Sequence, residues 1–191
     1  MQEIVNQLRA KGYEVILELP LEVDTKLGID AGIKPLEKKM SFDEMRNRID
    51  FHSGSVTGHI GFKNRLSSDF MASQYEVSYM MNLLKDKGLT FLEVLNPHDT
   101  FRSVATLSAD AIDVPSYSAD VVIEDLKRDF PLFFKKISTT HTGVAVVNAT
   151  PENVVLLSDM LKKLDDKNIV MVPLSHIYIY KDMLKQIRHG R

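Results

Sequence analysis

The residues best equipped for chemistry are few and dispersed. In SVTGHIGFKNRLSSD, residues 55–69, His59 stands between small and apolar neighbours. Neutral imidazole and carboxylate oxygen suit Zn²⁺ and similar ions, so His59 beside a carboxylate could hold a divalent metal. The same histidine could equally lie at the edge of a core, hydrogen-bonded to backbone. Glu18, in EVILELPLEV, alternates with Leu17 and Leu19. It is either a ligand or base facing a barrel mouth or the solvent-facing position of an edge strand. His98 and Asp99 fall in NPHDT, where Asn, Pro and Asp are also ordinary turn formers. His52 and His141 are expected at solvated helix ends or loops, and His189 in a basic tail. Cys is absent, which removes thiolate metal sites and cysteine nucleophiles. No HxxxH pair, HExxH helix, GxSxG elbow or glycine-rich phosphate loop occurs.

The elements that must position these groups follow one grammar. QLRAKGYEVILELP (7–20), LLKDKGLTFLEVLNP (83–97) and LKKLDDKNIVMVPL (161–174) each close a helix pattern with Gly12, Gly88 or Asn168, residues that end helices in the left-handed conformation at low steric cost. Each then enters β-formers and meets a proline, and repetition of that αβ unit predicts a largely parallel sheet or barrel covered by helices. Ser41 and Glu44 form a capping-box pattern before a helix leading toward strand VTGHIGF. Residues 69–87 read as one helix burying Val77, Met80, Met81 and Leu84. Thr150 and Pro151 begin another, with Val154, Leu157, Leu161 and Leu164 as its buried stripe, and GVAVVNA is a short strand. Residues 23–40 read as a long loop of the kind that often carries function.

In parallel α/β folds ligands collect beyond the carboxyl ends of the strands. The polar residues expected there are Glu18 and Glu22, His59 and Asn64, Asn96 with His98 and Asp99, Asp120 with Glu124, Asn148, and Ser175 with His176. Glu18 and His59 are the metal candidates, and Glu22, Asn64, Asp120 and Asn148 the substrate-binding ones.

Composition narrows the class. The 191 residues are 44% hydrophobic and 26% charged, enough apolar surface for one folded domain over 1–180, with 181–191 a basic C-terminal tail or helix. A net charge of -2 without a basic run argues against nucleic acid as partner. No window reaches the ~18 to 20 apolar residues of a membrane span, and MQEIVNQLRA has no signal-peptide pattern.

The ordered series GYEVILELPLEV, VTGHIGFKNRLSSD, KGLTFLEVLNP, GVAVVNATPENV and NIVMVPLS resembles the divergent polysaccharide deacetylase family, relatives of NodB-type carbohydrate deacetylases, over residues 1 to about 176. The resemblance implies an irregular (β/α) barrel. It also implies a metal-dependent hydrolase that removes acetyl groups from sugar amides, an acetylated envelope polysaccharide as partner, and a periplasmic or cell-envelope location. The family's His-Met-Gly motif matches His59, Ile60 and Gly61, giving His59 a metal-ligand role. Its His-Leu-Pro-Met-Glu segment matches Glu18 to Glu22, with Glu18 in place of the histidine, and its Gly-His-Pro segment matches Val147, Asn148 and Ala149. The family's opening Asp-Asp strand has no counterpart before Gln2, so the barrel is expected to be incomplete at its N-terminal end.

These departures imply a degenerate domain that binds a glycan or a partner. The alternative is a metal-dependent deacetylase whose aspartates lie upstream of Met1. An unpaired barrel edge would also invite self-association into a homo-oligomer.

Overall fold

Parallel strands need crossover connections, and the first half of the chain supplies a helix between successive strands. The computed structural model describes residues 1–23, 28, 30–65, 69–94, 115–162, 164 and 169–188, and the chain divides into two compact units, Met1–Ser118 and Ala119–Arg191.

The first unit runs α1 (Gln2–Ala10), β1 (Ile16–Leu19), α2 (Phe42–Ser55), β2 (Gly61–Asn64), a 3₁₀ turn (Asp69–Ala72), α3 (Gln74–Asp86), β3 (Thr90–Glu93) and β4 (Ser116–Ser118). The strands form one parallel sheet in the order β1-β2-β3-β4. Gly12 (φ 83°) and Gly88 (φ 65°) turn the chain after α1 and α3 in the left-handed region, as their place in the sequence predicts. Ser41 caps α2 by accepting the Glu44 amide, the expected capping interaction. The helix expected over 69–87 is instead broken at Ser73 into the 3₁₀ turn and α3. Val77, Met80, Met81 and Leu84 are buried as expected, and Leu83 joins them.

One register row, Leu17–Phe62–Phe91, packs with Leu19, Met45 and Ile49 of α2, and Met80, Met81 and Leu84 of α3 to make the core. Each large side chain withdrawn from water here is worth about 1.5–3 kcal/mol. Gly61 is needed where β2 crosses β3: a Cβ there would lie 2.1 Å from the Thr90 carbonyl oxygen. The 23–40 segment, in its described part, returns to the sheet: Leu36 is fully buried and exchanges backbone hydrogen bonds with Glu22 and Pro20 at 2.7 and 2.8 Å.

The second unit runs β5 (Val121–Ile123), α4 (Leu126–Thr140), β6 (Ala145–Val147), α5 (Pro151–Leu161) and α6 (Leu174–Arg188), with β5 and β6 parallel. Thr150 caps α5 through the Asn153 amide, and Pro151 opens the helix as expected. The apolar stripe proposed for this helix is corrected: α5 has no buried residue, Val154 is exposed, and Leu157 and Leu161 are only partly covered. Only Leu164, beyond the helix, is buried. The core of this unit is Ile123, Leu126 and Phe130, against which Leu156, Leu157, Met160 and Leu161 of α5 pack partly buried. Ile169–Val172, expected as a strand, makes no ladder and leaves Val170 and Met171 in solvent. Asn168 lies outside the described residues.

Candidate functional site

The carboxyl edge of the four-stranded sheet gathers most of the polar side chains that could meet a ligand. Glu18 of β1 and Lys63 of β2 are register partners and therefore share a face. The Lys63 ammonium lies 2.6 Å from Glu18 Oε2, and Arg65, just past β2, brings its Nε to 3.5 Å from Glu18 Oε1. Arg65 also donates through Nη1 to the Asp30 carbonyl at 2.8 Å, which ties the rim to the loop after β1. Glu18 and Arg65 are both partly exposed, so this cluster of one anion and two cations is open to solvent. Such groups can offer hydrogen bonds and charge to polar or anionic ligands.

Behind it, Asn64 is 3% exposed and closes the sheet. Its side chain accepts the Val94 amide at 2.6 Å and donates to the Val94 and Arg65 carbonyls at 2.8 and 3.1 Å. That bidentate grip on Val94 continues the ladder with a side chain after the backbone pairing ends. Glu93, at the carboxyl end of β3, is 1% exposed and accepts from the Ser118 hydroxyl at 3.3 Å. Glu22 accepts the Lys38 amide at 2.5 Å and stands 3.9 Å from the Lys38 ammonium, which also pairs with Asp69 at 3.5 Å. Asn64 and Glu22 thus hold the edge and its loop together.

His59 stands elsewhere. The strand expected to carry it at its carboxyl end begins only at Gly61, because α2 continues through Ser55 and the chain turns at Gly58 with φ 87°. His59 therefore precedes β2, and its backbone neighbour Ile60 bonds Val15, at the amino end of β1. Lys63, the partner of Glu18, lies four positions further on, or about 10–13 Å along the strand direction. Its Nδ1 is 2.9 Å from the Val56 carbonyl, so that nitrogen donates, and its ring packs near Phe62 at 5.3 Å. The Nε2 atom is buried without a hydrogen-bond partner among the described residues.

The remaining candidates belong to the second unit. Asp120 lies before β5, at the amino end of its sheet rather than the carboxyl end. It is a structural clasp, accepting the Val144 amide at 2.8 Å and pairing with Lys136 at 2.9 Å. Asn148 follows β6 at the carboxyl end, exposed, with its carbonyl accepting from Asn153 Nδ2 and the Thr150 amide. His141 is the left-handed cap of α4, and His176 is exposed on α6. His52 is less solvated than expected: its Nε2 lies 3.0 Å from the Lys34 carbonyl. Asn96, His98, Asp99 and His189 lie outside the described residues. Sequence reasoning passed over Lys63, Arg65 and Glu93. A charged residue inside the apolar run TFLEVL was the available signal for Glu93.

A divalent metal held jointly by His59 and Glu18 does not fit this arrangement. The two side chains lie toward opposite ends of β2, and both Glu18 oxygens face cations that would repel a metal ion. Among the described residues no group of three or more His, Asp or Glu side chains is placed to hold a metal.

The alternation of parallel strands and helices, with a polar rim at the strands' carboxyl ends, is that of an α/β domain. The chain belongs to the divergent polysaccharide deacetylase family, whose profile matches residues 1–178. An uncharacterized protein of Haemophilus influenzae strain Rd is 21% identical over 178 residues, covering 90% of this chain. This chain spans 61% of the length of that curated relative. The crystal structure of an uncharacterized protein from Agrobacterium tumefaciens C58 superimposes with a TM-score of 0.83 at 22% identity, covering 93% of this chain and 73% of that one. At that identity the likeness is one of fold.

Proposed function

We propose that this is a degenerate polysaccharide-deacetylase domain that binds an acetylated cell-envelope glycan at the carboxyl edge of β1–β4 without metal-dependent hydrolysis. The observation that carries the reading is the cluster of Glu18, Lys63 and Arg65: the edge carries ion pairs open to solvent, with two cations on one carboxylate. Its partly exposed guanidinium and ammonium groups suit hydroxyl, amide and carboxylate groups of a sugar chain. The family supports a glycan as the ligand class. The proposal includes the family's irregular (β/α) barrel, supported by the parallel strand pairing and by likeness to the longer Agrobacterium protein. A periplasmic or envelope site of action belongs to the same reading. No helix among the described residues is long and apolar enough to cross a membrane.

The test is calorimetric titration of acetylated oligosaccharides into the protein and its Arg65→Glu variant. Binding lost on charge reversal, with the fold intact by circular dichroism, is the expected result; equal binding by both proteins sinks the assignment of this edge. The alternative, metal-dependent deacetylation, requires ligands other than the pair His59 and Glu18 and predicts acetate release in the presence of Zn²⁺, Co²⁺ or Mn²⁺.

A further inference from the structure

Three aromatic rings gather at the surface of the first unit, the innermost of them, Tyr79, half-buried and packed against its core. Phe42 and Tyr79 stack with centroids 3.8 Å apart and planes inclined by 24°, and Tyr75 lies 5.6 Å from Phe42. Tyr75 is 68% exposed and Phe42 39%. A lone exposed aromatic is ordinary, but Tyr75 and Phe42 stand open to water side by side on a ring anchored in the core, an apolar patch of the kind that serves interaction.

Topology fixes where the group stands. Phe42 is the first residue of α2, and Tyr75 and Tyr79 lie in the first turns of α3. Both helices follow parallel strands, so their amino ends stand on the side of the sheet from which the carboxyl ends of β1 and β2 emerge. That is the side of Glu18, Lys63 and Arg65. The loop joining the two features is tied on both flanks: Lys39 donates its amide to Glu76 of α3 at 3.2 Å, while neighbouring Lys38 pairs with Glu22 and Asp69. Polar groups also border the rings. Arg46 Nη2 lies 3.5 Å from the Tyr79 hydroxyl, and Glu76 follows Tyr75.

A flat apolar surface bordered closely by charged hydrogen-bonding groups matches a pyranose ring, which offers a C–H face and a hydroxyl edge. C–H groups are attracted to the negative face of an aromatic ring. We propose that Phe42, Tyr75 and Tyr79 form a sugar-stacking subsite that extends the glycan site from the sheet edge onto the amino ends of α2 and α3. The inference rests on the glycan reading above and adds a second point of contact to it.

The test titrates the hexamer of β-1,4-linked N-acetylglucosamine into wild-type protein, Tyr75→Ala, Phe42→Ala, Tyr75→Phe and Arg65→Glu. Calorimetry is paired with tyrosine fluorescence, which no Trp emission masks, each variant being compared with wild type because six Tyr contribute to the signal. Loss of one stacking ring weakens binding about tenfold, while Tyr75→Phe binds as wild type. Exposure of Tyr75 means that its alanine variant folds normally, checked by circular dichroism. If both alanine variants bind as tightly as wild type while Arg65→Glu does not, the subsite is overturned and the glycan reading survives; a platform serving a protein partner gives that pattern. Weakening by the alanine variants alone supports the subsite and overturns the edge. No binding of the hexamer by wild type overturns both.

Discussion

The Lys63 ammonium sits 2.6 Å from the Glu18 carboxylate, across the register pair that joins β1 to β2. Both groups are partly exposed, and exposed ion pairs contribute only about 0.2–1 kcal/mol. Glu18→Ala is therefore expected to shift the urea midpoint little. It does free two cations at the edge, so affinity for anionic oligosaccharides should rise and depend more steeply on salt. Calorimetry at low and high salt checks this; a large loss of stability with unchanged anion affinity would contradict it.

Asn64 behaves oppositely because it is buried. Asn64→Leu leaves the Val94 amide and carbonyl without their side-chain partners, at about 1–3 kcal/mol for each unsatisfied group. Asn64→Asp keeps an acceptor for the amide but sets a carboxylate against the Val94 carbonyl, and should cost at least as much. Urea unfolding of both variants measures the difference.

Glu76 gives the fold a pH dependence with a definite sign. The hydrogen bond from the Ser73 hydroxyl holds its carboxyl below the ordinary glutamate value of 4.5, with smaller help from the Lys39 amide and the Lys38 charge against a modest opposing effect of burial. A lowered value in the folded protein means that the ionised group stabilises fully above the unfolded value, and that this contribution fades as pH falls through the folded one. Wild type and Glu76→Gln should differ in urea midpoint at about pH 6 and converge as the pH is taken down through the folded value. A gap that stays constant over that range would show that Glu76 acts by packing alone.

Much of the first unit was legible because its signals are local. Gly12 and Gly88 end helices, Ser41 starts one, and the Val77 to Leu84 stripe names its own buried face. What escaped was set by distant partners. VTGHIGF reads as a strand from its first residue, yet pairing begins at Gly61, where a missing Cβ lets β2 pass the Thr90 carbonyl. That shift left His59 at the wrong end of the strand and brought Lys63 and Arg65 to the rim. Glu93 is buried because β3 is an interior strand, flanked by β2 and β4 and covered along its whole length. The stripe assigned to α5 held only in part, with Leu157 and Leu161 half-covered and Val154 in solvent, since periodicity shows which face is apolar and not how far it is covered.

The central claim is that the Glu18, Lys63 and Arg65 edge binds glycan without a metal. The most direct measurement is equilibrium binding of an N-acetylated oligosaccharide with added Zn²⁺ and with EDTA, followed by mass spectrometry of the recovered sugar. The account predicts equal affinity in both conditions and a sugar recovered with every acetyl group in place. Binding that requires Zn²⁺, with acetyl groups lost from the recovered sugar, would contradict it.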